Sequence, residues 1–285
     1  MKTNSGFLFI DKEEGLTSQR VDSMIKKKFD LPKAGHLGTL DPFATGLLIV
    51  ATNDATKFMS MIPDADKSYR ASLKFGISTD TDDYTGTVLK QEAIPELTEE
   101  QIKDVLFSFI GKQKQKVPLY NAKHINGVRS YVLLRQGIEF EPPVIDIEVK
   151  DIRFISYVDN TLTFEADVSK GTYIRSLGRD IADKLNTIGN LVALRRTRVG
   201  QYSVDEANKI SVTNEDSFKT IETMFPEIEV YDCPEELKGP VYYGNKVHLD
   251  STDEKVFIHI DGKLVALYVK EDGDLYRCYR GIKRV

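Results

Sequence analysis

Asp41 is the side chain in this sequence best placed to do chemistry, because of the run that holds it: Gly35-His36-Leu37-Gly38-Thr39-Leu40-Asp41-Pro42-Phe43-Ala44-Thr45-Gly46-Leu47-Leu48. One carboxylate ends a glycine-punctuated loop and opens onto an apolar stretch, and the run supplies neither a phosphate cradle nor a set of metal ligands. Such an acid suits nucleophilic or general-base work. A helix start has the same local look, with Asp41 as the cap and Pro42 at the first helical position. Gly35, Gly38 and Gly46 ask for more than a cap does, since each marks a point where backbone passes closely or takes a positive φ.

The elements around this loop decide which side chains can reach it. Residues 67–77 alternate, with Tyr69, Ala71, Leu73 and Phe75 on one side and Ser68, Arg70, Ser72 and Lys74 on the other, which predicts a half-buried strand with Tyr69 facing inward near its end. Thr17 or Ser18 can cap a short helix carrying Val21, Met24, Ile25 and Phe29. Thr98 and Gln101 have capping-box spacing, ahead of a stripe of Ile102, Val105, Leu106 and Phe109 that stops at Gly111. Strand-like alternation returns at Ile145-Ile147-Val149 and Leu162-Phe164-Ala166-Val168. Ile174, Leu177, Ile181 and Leu185 then mark a helix with Arg175 and Arg179 on one face.

With 285 residues, a large domain followed by a small one is the expectation. The acidic, proline-punctuated stretch 226–240 reads as the junction, so the boundaries expected are 1–225 and 226–285. Beyond it, strands at 255–260 and 263–269 are joined by Asp261-Gly262, a hairpin turn. Residues 117–143, framed by Pro118, Gly127, Gly137 and Pro142-Pro143, form a polar, basic insertion that should project as a clamp.

The chain is 41% hydrophobic and 29% charged, with no long apolar run for a membrane span and no secretory start, so a cytoplasmic protein with no membrane partner is expected. Cys233 and Cys278 are too far apart for a metal knuckle, and a disulfide is not expected. The net charge of -5 hides two basic segments: Lys112, Lys114, Lys116, Lys123, Arg129 and Arg135, then Lys170, Arg175, Arg179, Lys184, Arg195, Arg196 and Arg198. A phosphate backbone responds to one face rather than to the total, so nucleic acid remains a partner to consider. A nucleotide-hydrolysing site is excluded by the lack of any Gly-Lys-Ser/Thr run and of a histidine or cysteine cluster at ligand spacing.

The Asp41 run resembles the signature of the bacterial tRNA pseudouridine synthase family that modifies the T loop (the TruB family), Gly-His-x-Gly-x-Leu-Asp-Pro-x-Ala-x-Gly-x-Leu, with every fixed position present. The likeness extends over about residues 5–205. Asp11-Lys12-Glu13-Glu14-Gly15-Leu16-Thr17-Ser18 resembles the family's opening motif, with Glu13 where proline is usual. Lys67-Ser68-Tyr69 resembles its second motif, and Pro118-Leu119-Tyr120-Asn121-Ala122-Lys123 resembles the start of the insertion that grips the T loop, with Asn121 in place of the more frequent serine. Lys170-Gly171-Thr172-Tyr173-Ile174-Arg175 and Leu194-Arg195-Arg196 resemble the last two.

The resemblance implies an isomerase that turns uridine into pseudouridine at position 55 of tRNA. Asp41, Tyr69 and Arg175 are then the catalytic residues, with Asp41 the reacting acid, Arg175 its ion-pair partner, and Tyr69 the platform for the base. His36 and Tyr173 would contact the target nucleotide, Leu194 would line the base pocket, and Lys123 and Arg129 would hold the RNA. It further implies an α/β (α+β) catalytic domain on a mixed, mainly antiparallel sheet, with a small C-terminal β domain of the PUA kind as an RNA-binding accessory. The partner is the T arm of tRNA, with no obligate protein partner. The reaction changes no oxidation state and uses no external donor, so no cofactor and no metal are expected. A tRNA-binding or tRNA-folding module without turnover would share the basic segments, but it has no need of an acid that repels phosphate.

Overall fold

Among the described residues, period-two stretches of apolar residues settle into two large sheets, beside two small two-stranded ones. The protein is described by a computed structural model covering residues 5–62, 66–120, 124–125, 128–129, 136, 138 and 140–282. In chain order the first elements are β1 (Phe7–Lys12), α1 (Ser18–Lys28), β2 (Ala34–Leu37), β3 (Thr45–Thr52), β4 (Lys67–Phe75), β5 (Ile77–Thr79), β6 (Val88–Gln91), α2 (Glu99–Phe107) and β7 (Gly111–Lys116). There follow β8 (His124–Ile125), β9 (Val128–Arg129), β10 (Val144–Val158), β11 (Thr161–Val168), α3 (Ile174–Lys184), β12 (Gly189–Val199) and β13 (Tyr202–Ser203). The C-terminal part holds β14 (Glu229–Asp232), α4 (Glu235–Tyr242), β15 (Val247–His248), β16 (Lys255–Ile260), β17 (Lys263–Asp272) and β18 (Leu275–Gly281).

The large sheet runs β1-β3-β12-β4-β11-β10-β7, with β2 on β3 and β13 on β12; β3 and β12 pair in parallel and the other neighbours are antiparallel. Helices α1, α2 and α3 cover one face. Thr17 caps α1 by accepting the Arg20 N–H, and Thr98 and Gln101 close the expected capping box on α2. The expected face of β4 is buried, with Tyr69, Ala71, Leu73 and Phe75 all inward.

The helix reading of the run after Asp41 is not what forms. Asp41 to Ala44 is a tight turn, closed by the Ala44 N–H on the Asp41 carbonyl, and β3 follows at once. The reason is burial on both faces. Leu48 and Val50 enter the core beneath the helices, while Leu47, Ile49 and Ala51 enter a second core shared with Phe58, Phe225, Phe257 and Leu267. A strand places alternate residues in two cores, which a helix of the same run could not.

Two of the three glycines are required by geometry. Gly38 has φ 71°, and Gly46 has φ 99° at the point where β3 meets β12; a Cβ on Gly46 would lie 2.2 Å from the Arg196 carbonyl oxygen. Gly35 corrects the expectation: it is an ordinary strand residue whose Cβ would meet only Met59 Sδ, at 3.8 Å.

The two rims of the sheet differ. β1 is bridged on its outer side by Lys219 and Asn208, whereas β7 pairs with β10 and presents Lys112, Lys114 and Lys116 to solvent. Within the expected insertion, β8 and β9 form a small ladder, His124 opposite Arg129 and Ile125 opposite Val128. The second sheet runs β14-β16-β17-β18-β15 around a third core of Val256, Ile258, Tyr268 and Tyr276. Asp261 and Gly262, with φ 53° and 70°, make the predicted hairpin turn between β16 and β17.

Candidate active site

The Asp41 turn is fixed from two directions before any partner is considered. Ser18 Oγ, at the start of α1, accepts the Leu40 N–H at 2.9 Å and lies 3.2 Å from the Leu40 carbonyl, to which it donates. Lys12, at the end of β1, is fully buried, and its ammonium donates to the carbonyls of Glu13, Leu16 and Pro42 at 3.1, 2.6 and 3.1 Å. All three ammonium donors are used, so the departure at Glu13 leaves the loop closed through its carbonyl. Burial lowers the Lys12 pKa to about 8, against the pull of the nearby Asp41 charge. Lys12 belongs to the opening motif, yet the sequence alone assigns it no role, because its partners are backbone carbonyls that carry no residue-type signal.

Arg175, on the first turn of α3, meets Asp41 as a fork: Nε to Oδ2 at 2.9 Å and Nη2 to Oδ1 at 3.2 Å. Its remaining donors reach the Thr81 carbonyl at 2.7 Å and the Tyr120 carbonyl at 2.9 Å, with the Asp83 carboxylate 3.7 Å away. The guanidinium is sealed at 4% exposure while the carboxylate keeps 36%. The ion pair therefore presents only its acid to a visitor. Asp83, held by the Thr81 hydroxyl and the Thr85 N–H at 3.0 Å each, is a second site residue that sequence reasoning misses.

Asp41, Tyr69, Tyr173, Arg175, Leu194 and Arg196 line one cavity of about 380 Å³, with Lys67 and Lys170 also on its wall. Tyr69 comes from β4, Leu194 and Arg196 from the adjacent β12, and Tyr173 caps α3. Burial pushes the Tyr69 phenol up, and the Arg196 guanidinium beside it partly offsets the shift. Burial likewise raises Tyr173. The cavity thus combines a carboxylate, neutral phenols and an apolar leucine, which suits a planar ring held against an acid.

The other expected residues fall differently. Among the described residues His36 stands back from the lining; its Nδ1 is 2.8 Å from Asp22 Oδ2 and its Nε2 is 3.2 Å from Thr39 Oγ1, and Thr39 is on the wall. Lys123 lies outside the described residues, as does the Arg129 side chain. The second basic segment is less open to RNA than its composition suggested. Arg196 is buried and donates to the Leu47 and Gly38 carbonyls at 2.8 and 3.0 Å, and Arg195 forks onto Asp11 at 2.8 and 2.9 Å. Among the described residues no group of three or more His, Cys, Asp or Glu side chains converges as metal ligands would.

Comparison with known proteins places the chain in a family. The family described as TruB family pseudouridylate synthase (N terminal domain) matches residues 26–174. The tRNA pseudouridine synthase B of Francisella philomiragia subsp. philomiragia is 36% identical over 283 residues, covering 95% of this chain and 93% of that protein. The tRNA pseudouridine synthase B of Caldicellulosiruptor saccharolyticus is 40% identical over 220 residues, 77% of this chain and 76% of that one. Among solved structures, an H/ACA RNP bound to a substrate RNA containing 2'-deoxyuridine superposes with a TM-score of 0.68 at 21% identity, over 99% of this chain and 86% of that one. A Cbf5-Nop10-Gar1 complex gives 0.69 at 22%, with the same coverage. At these identities the structural likeness establishes the fold, an α/β catalytic architecture followed by a C-terminal sheet. Fold, signature and sequence relatives converge: this chain belongs to the TruB family of pseudouridylate synthases.

Proposed function

We propose that this chain isomerises uridine to pseudouridine in the T loop of tRNA, at position 55 in tRNA numbering, with Asp41 as the catalytic carboxylate. The observation that carries the reading is the forked Asp41–Arg175 pair, sealed on the arginine side and open on the acid side, in a cavity walled by Tyr69 and Leu194. The reaction breaks the bond from ribose C1′ to base N1, turns the ring, and joins C1′ to C5; C5 loses a proton and N1 gains one, so atoms and electrons balance without a donor. Arg175 holds Asp41 oriented for the covalent or basic role through its two-point fork.

The uridine must leave the folded loop to reach Asp41, at a cost of a few kcal/mol that stacking on Tyr69 would offset. Residues 1–225 would supply this chemistry. The insertion 117–143, through Lys123 and Arg129, and the sheet of residues 226–285 would hold the T arm. Relatives named tRNA pseudouridine synthase B support tRNA as the substrate.

The test is Asp41→Asn, nearly isosteric but neither nucleophilic nor basic. The variant is expected to fold and to bind unmodified tRNA within a few-fold of wild type, while single-turnover assays detect no pseudouridine at position 55. Substantial residual formation by the pure variant overturns the role of Asp41. Wild-type protein that binds tRNA without modifying it would instead favour the binding-module reading.

A further inference from the structure

Gln115 alternates in β7 with the exposed Lys112, Lys114 and Lys116, yet is itself 1% exposed. A buried amide needs partners, and here both its ends meet one residue. Its Oε1 accepts the Tyr173 N–H at 2.8 Å, and its Nε2 donates to the Tyr173 carbonyl at 3.1 Å. Tyr173 is the N-cap of α3, and it makes no side-chain capping bond of its own. The turn before it is closed by Thr172, whose N–H and hydroxyl donate to the Ser169 carbonyl at 3.3 and 2.9 Å. The start of α3 is held by that turn and, from outside the helix, by the Gln115 amide of β7.

Further along α3 this stitching repeats. Ser176 Oγ donates to the Lys116 carbonyl at 2.8 Å, and Arg179 Nη2 reaches the same carbonyl at 3.2 Å. The first turn of α3 carries Arg175, whose fork fixes Asp41, and the ring of Tyr173 lines the cavity.

Resting on the function proposed above, we infer that Gln115 is a positioning residue for the isomerisation: its amide fixes the backbone of Tyr173 and, through one helical turn, the placement of Arg175 against Asp41. Gln115 is not among the residues lining the cavity, so its loss should act on the chemical step and leave tRNA binding alone. A displacement of about 1 Å in such a constellation can cost up to about a hundredfold in rate.

Two variants remove the clamp by different routes. Gln115→Met keeps the length and loses the amide; Gln115→Asn keeps the amide and falls one methylene short. Each is measured for melting temperature, for tRNA affinity, and for kcat and KM on unmodified tRNA. Both are expected to lower kcat by roughly ten- to a hundredfold, with KM and tRNA affinity within about threefold of wild type and a melting transition still cooperative and close to it. The inference is overturned if either folded variant turns over within threefold of wild type or if the loss appears in KM. It is equally overturned if the variants fail to fold, which would make Gln115 a stability element. A wild-type protein that forms no pseudouridine in the same assay would count against the proposed function, a result separable from all of these.

Discussion

At the scale of single residues, the Tyr69 phenol has two claims on it. Its ring lines the cavity, and its hydroxyl is held protonated by burial while Arg196 pulls the other way. A phenol placed there that gives its proton to the freed N1 can take up the one leaving C5, and so ends as it began. Tyr69→Phe is therefore expected to keep tRNA binding and to slow release of tritium from C5-labelled uridine by about a hundredfold. Tyr69→Ala should also lose roughly 1–3 kcal/mol of base stacking, visible as weaker binding. Tritium release by the Phe variant at the wild-type rate would leave Tyr69 as a platform alone. Arg175 is not open to conservative exchange in the same way, because its fork and two carbonyl bonds use a planar donor set that a lysine ammonium cannot reproduce.

At the scale of elements, Gly46 joins local backbone to sheet topology. Gly46→Ala would set a Cβ 2.2 Å from the Arg196 carbonyl at a positive φ, so β3 and β12 must part or strain. The expected loss is roughly 2–4 kcal/mol of stability, together with activity, since Arg196 and Leu194 sit on the displaced strand. Gly35→Ala is the control: its Cβ would sit at an ordinary van der Waals distance, and a change within about 0.5 kcal/mol is expected by denaturant titration.

The same elements show what a sequence can disclose. The period of β4 gave Tyr69 its direction, the capping box placed α2, and the Asp-Gly pair placed the β16–β17 turn, because each signal is local. Lys12, Asp83 and Gln115 were invisible as site residues, since they bond backbone or hold another side chain across long stretches of chain. Arg196 looked like a phosphate ligand by composition, and only packing against Leu47 and Gly38 reveals it as an internal strut. The apolar run after Asp41 carried no sign that two cores would claim its alternate residues.

At the scale of the whole molecule, a chain of net charge -5 is proposed to hold a polyanion, so the local field of its insertion must do what the total cannot. Replacing Lys123 and Arg129 together with Ala should weaken tRNA binding and flatten its dependence on salt, by about one unit of slope for each phosphate no longer neutralised, with turnover at saturating tRNA little changed. An unchanged slope would remove these residues from the RNA interface. The two sheets share a core where they meet, for Phe257 and Leu267 of the C-terminal sheet lie in one cluster with Phe7, Phe9 and Phe58.

The lysine-studded rim has a consequence for the protein among its own copies. Among the described residues, β7 bonds β10 on one side and α3 meets the Lys116 end of the other, which leaves 111–114 without a strand neighbour there. Lys112 places an ammonium group on that stretch, and Lys114 a second one 3.0 Å from the Asp146 carboxylate; two such rims brought together set lysine against lysine. With Lys112 and Lys114 both changed to Thr, a residue that favours extended chain, concentrated solutions are expected to form edge-to-edge oligomers detectable by light scattering, while wild-type protein stays unassociated through this rim. Variant solutions that scatter no more than wild type would mean that something other than these charges keeps two rims from pairing.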